Sequence, residues 1–162
     1  MKTNLKNILL NINSGYTFFV SSIHMGLMTS LVLFWYSSWN GLTIDTIQNN
    51  FSIPAIRATK LFVILIPIIM ITSAIMIITE WKTPLIWPSI IVLIGVMGST
   101  TMAKYFLFPI NDIIYAGVKT NAELKPLLLK WMALNNWRVL FSLLTWLGMF
   151  AFYTMKPNRK SS

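Results

Sequence analysis

Four long apolar runs divide this chain, and the polar residues that interrupt them are few. From Asn7 to Ile44 no residue carries a formal charge. A spanning helix over Tyr16–Tyr36 fits inside that run, because about 20 apolar residues cross the hydrocarbon of a bilayer. A cleaved leader fits less well, since the run is too long and no small-x-small cleavage site comes after it. Leu61–Thr79 is uncharged and rich in Ile and Met, a second span with Pro67 inside it to kink it. Glu80-Trp81-Lys82 closes that span with the aromatic and charged residues of a membrane interface. The third span covers residues 83–106, and its apolar character runs on past Lys104 toward Pro109. The fourth begins near Trp131 or Trp137 and covers residues 134–155; between Lys130 and Lys156 its only charge is Arg138.

Composition agrees with lipid as the solvent. Of 162 residues, 56% are hydrophobic and only 10% charged, where soluble domains carry about a quarter charged. The length suits one domain, 1–162, and the fold expected is an all-α integral membrane four-helix bundle. The first connection, from Ser37 to Thr59, has a turn at Asn40-Gly41 and a break at Pro54. It and the third connection leave room for a short interfacial helix. Cysteine is absent and there is a single His, so neither a disulfide framework nor a cysteine or all-His metal site is expected, and no cofactor.

The net charge of +9 does not point to nucleic acid. The basic residues are scattered among tails and connections rather than gathered into a stripe, as expected of flanks that touch lipid headgroups. Four spans put both termini on one side, with Lys2, Lys6, Lys82, Lys156, Arg159 and Lys160. Arg57, Lys60, Lys104, Lys119, Lys125, Lys130 and Arg138 lie on the other. If Lys104 and Arg138 belong to helices, the balance tips toward cytoplasmic termini in a bacterial inner membrane.

Polar residues inside the apolar runs carry the candidate chemistry. Ser14, Thr17, Ser21, His24 and Met28 recur at three- and four-residue steps, so they share one face of the first helix. That face should look into the bundle, because polar groups facing lipid are costly. Trp131, Asn135, Arg138, Ser142 and Thr145 do the same on the fourth helix. Two readings of this second face stay open. In one, Asn111 and Asn135 bridge helix ends and Arg138 neutralises Asp112 or Glu123. In the other, Arg138 and the amides line a polar pocket for an oxyanion or carbonyl, with His24 deeper inside. Gly95 and Ser99, with Gly98 beside them, form a small-residue seam for close helix approach.

The pattern Pro109-x-Asn111, a polar connection, then Trp131-x-x-Leu134-Asn135-x-x-Arg138 resembles a family of small four-span membrane proteins, largely of unknown function, that includes the fungal anthrone oxygenases. The resemblance covers the four-span layout, and its specific part runs from the end of helix three into helix four. Gly26 matches the small residue common in that family's first helix. The family often has His where Asn135 stands, and Ser37-Ser38-Trp39 replaces its His-Pro-like ending of helix one. What the resemblance implies is a cofactor-independent oxygenase acting on a hydrophobic aromatic or quinone-like molecule. His24 would then be the base, and Arg138 would bind the oxyanion with Asn111 and Asn135. Trp131 would be a stacking wall, and Ser142 would also bind substrate. The alternative is a non-enzymatic protein that binds a lipophile, forms a homo-oligomer, or serves a membrane complex as a partner. A transporter would need paired broken helices, which are not evident.

Overall fold

The computed structural model describes the backbone of residues 2–156 and side chains from Asn7 onward. Arg159 and Lys160, part of the basic set on the terminal side, lie outside the described residues, as do the side chains of Lys2 and Lys6. Every regular element among the described residues is helical. Four helices are long and apolar enough to cross a membrane: Asn7–Trp39, Gln48–Thr79, Ile86–Ala116 and Asn121–Met155. We call them the first to fourth helices. The shortest has 31 residues, so at about 1.5 Å per residue it is well over the roughly 30 Å hydrocarbon thickness. The all-α membrane bundle expected from the sequence is the observed architecture, with each helix longer than the hydrocarbon layer is thick.

The helices pack as a ring, each against the next and the fourth against the first. Burial follows the apolar and polar patterning. The whole first-helix stripe is inside, with Ser14, Thr17, Ser21, His24 and Met28 each no more than 2% exposed. Its hydroxyls bond mostly back to carbonyls one turn earlier, as small polar side chains do in lipid. Cross-links tie it to its neighbours: the Thr17 and Thr72 hydroxyls are hydrogen-bonded at 2.8 Å, and Tyr153 donates to Ser14 Oγ at 3.2 Å. On the second helix Val63, Ile64, Ile71 and Ile78 are all more than 60% exposed, a lipid-facing side at helical spacing.

The third and fourth helices make the closest seam. Gly95 lies against the fourth-helix backbone, where an added Cβ would come within 2.8 Å of Phe141 O and Thr145 N. From the other side Gly148 meets Val92 and Ile91. Of the small residues read in the sequence, Gly95 thus does the packing expected of it, and Gly98 meets the Phe141 ring beside it. Gly26 does not: it is on the outside, and a Cβ there would meet nothing within 4 Å.

At the end of the bundle that holds the first and third connections, Trp39, Phe51 and Trp131 meet edge to face with centroids 5.0–5.3 Å apart. Leu107, Ile110, Ile114, Leu124 and Leu128 pack around them. This aromatic knot gathers residues from all four helices.

The connections differ from expectation in two ways. Neither holds a separate helix: residues 48–53 extend the second helix toward the Asn40-Gly41 turn, and residues 108–116 continue the third. Pro54 is no break: it lies within the second helix just past a π turn, and the Asn50 carbonyl four residues before it accepts from the Trp39 indole at 3.2 Å. The fourth helix also starts earlier than its apolar run, at Asn121. Thr120 Oγ1 accepts from Glu123 N at 3.2 Å, and the Glu123 carboxylate accepts from Lys119 N at 3.3 Å. That Thr-x-x-Glu arrangement is close to a capping box, and Gly117, at φ +98°, ends the helix before it.

Three helices carry a single π-helical turn, at Leu31–Trp35, Gln48–Ser52 and Ala103–Leu107. A π turn inserts one residue and so rotates the later part of the helix relative to the earlier part. An α-helix would put Trp35 seven residues after buried Met28 on the same face. Instead Trp35 is 41% exposed and Tyr36 turns inward. In the third helix Ser99 is buried, Phe106 is 47% exposed, and Leu107 is inside. Both helices make the same one-residue shift.

Candidate functional site

Below the aromatic knot the four helices enclose a cavity of about 610 Å³, within the range of small-molecule sites. Its walls are mainly apolar: Met28, Leu31, Phe62, Ile66, Met70 and Leu107 are among them. Exposed Val63 and Lys104 also line it, so it reaches the protein surface. Residues of two π turns, Leu31 and Trp35 with Ala103, Lys104 and Leu107, contribute to its walls. Short π segments are frequent at functional sites.

Four of the six residues singled out in the sequence line this cavity: His24, Asn111, Trp131 and Arg138. The helices therefore bring His24 and Arg138, more than a hundred positions apart in sequence, to the same space. Asn135 and Ser142 are fully buried but stand outside the lining. Ser142 Oγ bonds to Val139 O at 2.8 Å and approaches Met25 Sδ at 3.4 Å. Asn111 and Trp131 are bonded to each other, with the indole N–H donating to Asn111 Oδ1 at 2.8 Å. That bond fixes the indole at the boundary between knot and cavity.

Arg138 is held from behind. Its Nη1 donates to Asn135 Oδ1 at 3.1 Å, and Asn135 Nδ2 donates to Tyr36 Oη at 2.8 Å. Tyr36 in turn donates to the Met132 carbonyl at 3.3 Å. The chain from helix one to helix four thus orients the guanidinium without neutralising it. The ion pair considered from the sequence does not form. Asp112 is exposed on the third helix, Glu123 is engaged at the cap, and among the described residues no carboxylate pairs with Arg138. Its Nε is buried and has no hydrogen-bond partner among the described residues.

His24 is 1% exposed. Its Nε2 lies 3.5 Å from Ser99 Oγ, a long contact, and its ring meets Phe62 edge to face with centroids 5.1 Å apart. Nδ1 is buried and has no partner among the described residues. The site therefore offers two buried nitrogens of different chemistry. Arg138 Nε–H is a fixed cationic donor, and the imidazole is a donor or acceptor according to its tautomer.

Sequence reasoning missed Tyr36, Phe62 and Lys104 as parts of this region. Lys104 had a visible signal, a lone charge within the apolar run that crosses the third helix. Tyr36 had none, since the π turn that swings it inward leaves no mark in the apolar periodicity. Comparison with known proteins adds no relative, because no family model, curated protein or solved structure matches this chain.

Proposed function

We propose that this integral membrane protein binds a hydrophobic, ring-bearing molecule with an oxygen function, taking it from the bilayer into the cavity beneath the aromatic knot. One observation carries this reading: His24 and Arg138 line the same apolar cavity, and each has a buried side-chain nitrogen without a partner among the described residues. A buried polar group left unpaired costs about 1–3 kcal/mol, and more when charged. A ligand oxygen between these nitrogens would recover that cost while the Met, Ile and Phe walls take its apolar body. The test is mass spectrometry of small molecules extracted from gently purified protein. The wild type should release a ring-bearing lipophile that Arg138→Ala loses. A folded wild type that releases no such compound would overturn the reading.

A second, catalytic reading is favoured by the shared lining of His24 and Arg138. The resemblance to anthrone oxygenases suggests its reaction. His24 would take a proton from a ring carbon activated by a neighbouring carbonyl, and Arg138 would stabilise the resulting oxyanion. One electron passes to dioxygen, the two radicals combine as a peroxide anion that takes back the proton held by His24, and loss of water from the hydroperoxide leaves a new carbonyl. One oxygen atom then ends in product and the other in water, with dioxygen as the oxidant. Asn135 stands where that family often has His, and its bonds to Arg138 and Tyr36 suit a positioning role. Oxygen uptake with the extracted compound is the assay. If His24→Ala and Arg138→Ala both keep the wild-type rate, this chemistry is wrong.

For orientation we favour cytoplasmic termini in a bacterial inner membrane. Lys104 and Arg138 belong to helices and line the cavity. Set aside, they leave Arg57, Lys60, Lys119, Lys125 and Lys130 at one end against Lys2, Lys6, Lys82, Lys156, Arg159 and Lys160 at the other.

A further inference from the structure

The cavity is cationic in a chain that has few acids to balance it. Lys104 and Arg138 line it, and no Asp or Glu does. The chain has only four acids, and each is placed elsewhere. Asp45 is exposed in the first connection, and Asp112 is exposed on the third helix. Glu80 accepts from Thr83 Oγ1 at 2.6 Å in the second connection, and Glu123 belongs to the fourth helix cap. A guanidinium held among apolar helices without a counter-charge is costly.

The geometry of Arg138 is specific about what would offset that cost. Asn135 occupies Nη1, which leaves the edge formed by Nε–H and the other Nη. That edge presents two parallel donors, the arrangement that matches two oxygens of a carboxylate or phosphate. Lys104 is exposed, on the π turn of the third helix, and reaches the same cavity from the surface. Its Nζ lies 5.5 Å from the Tyr105 ring centroid, so its fixed contact is a weak one.

Resting on the binding site proposed above, we infer that the ligand is an acidic lipophile whose anionic oxygen group sits on the Nε edge of Arg138, with Lys104 as a second cation at the rim. Lys104 is then the residue that admits anions in preference to neutral lipophiles, and Asn135 and Tyr36 are positioning residues for the fork. The same head chemistry is found on free acids and on anionic phospholipids.

Purified protein in neutral phosphatidylcholine nanodiscs would be titrated with a dansyl-labelled fatty acid and, separately, with its methyl ester. Binding is read by energy transfer from Trp35, Trp39 and Trp131 at the cavity. The acid should bind about tenfold tighter than the ester, the worth of one charge-assisted hydrogen-bonded contact. Arg138→Gln should abolish that preference, so that within the variant acid and ester bind equally. Lys104→Gln, a surface change that leaves the core intact, should reduce it by about threefold. Acid and ester binding equally to the wild type would overturn the anionic assignment and leave the lipophile site standing. Binding of neither would overturn both. With the preference in hand, nanodiscs containing phosphatidylglycerol identify the source: displacement of the acid marks a bilayer phospholipid as the occupant, and unchanged binding marks a free acid.

Discussion

Asn135 holds two side chains at once, its carbonyl oxygen on Arg138 and its amide on Tyr36. Because it is fully buried, replacing it with Leu leaves both partners in an apolar setting without it, at a cost of about 1–3 kcal/mol. Thermal unfolding in detergent should show that loss. Tyr36→Phe combined with Asn135→Leu should cost less than the sum of the single changes, because both act on one chain of bonds. Additive effects would mean the network is not coupled. The face carrying Asn135 was readable in sequence because polar residues at three- and four-residue steps in an apolar helix have only the interior to face. What they touch was not readable. The expected partner of Arg138 was an acid, chosen for its charge and nearness in sequence, whereas the observed one is an amide on the same helix.

Helix packing gives a paired test on two glycines. Gly95→Val would push a side chain into the Phe141 and Thr145 backbone, which cannot move aside as a flexible side chain can. A loss of about 1–3 kcal/mol or more is expected, read as a lower midpoint of thermal unfolding. Gly26→Ala meets open space in the interior of a helix and should be neutral or stabilise by up to about 1 kcal/mol. If both behave alike, the third–fourth seam is not where the structure has it. The four helices themselves were legible from their apolar runs, and so was this seam. Their ends were less so. Apolar character marks where lipid begins, while the helix is started by Thr120 and Glu123, well before the apolar signal at Trp131. The π turns escaped altogether, since Leu31–Trp35 and Ala103–Leu107 read as ordinary apolar helix.

For the whole molecule, the absence of cysteine makes orientation directly measurable. Single-cysteine variants at Lys82 and Lys119 place one thiol at each end of the bundle. With cytoplasmic termini, a membrane-impermeant maleimide added to intact cells should label the Lys119→Cys protein and spare Lys82→Cys until the membrane is opened. The reverse pattern would invert the topology. The basic residues are divided six against seven between the two ends, which is why the sequence leaves orientation to this measurement.

The glycine seam also sets the mechanics of the bundle. Gly95 and Gly148 draw the third and fourth helices into backbone contact, so these two form a stiff spine. Arg138 and Asn135 are mounted on it. On the second helix the cavity is lined by Phe62, Ile66 and Met70, and that helix has no glycine to bring its backbone as close to a neighbour. A bulkier guest would therefore be met by yielding of this compliant wall, while the charge on the spine keeps its place. Such a protein would be tolerant of a guest's body and strict about its head.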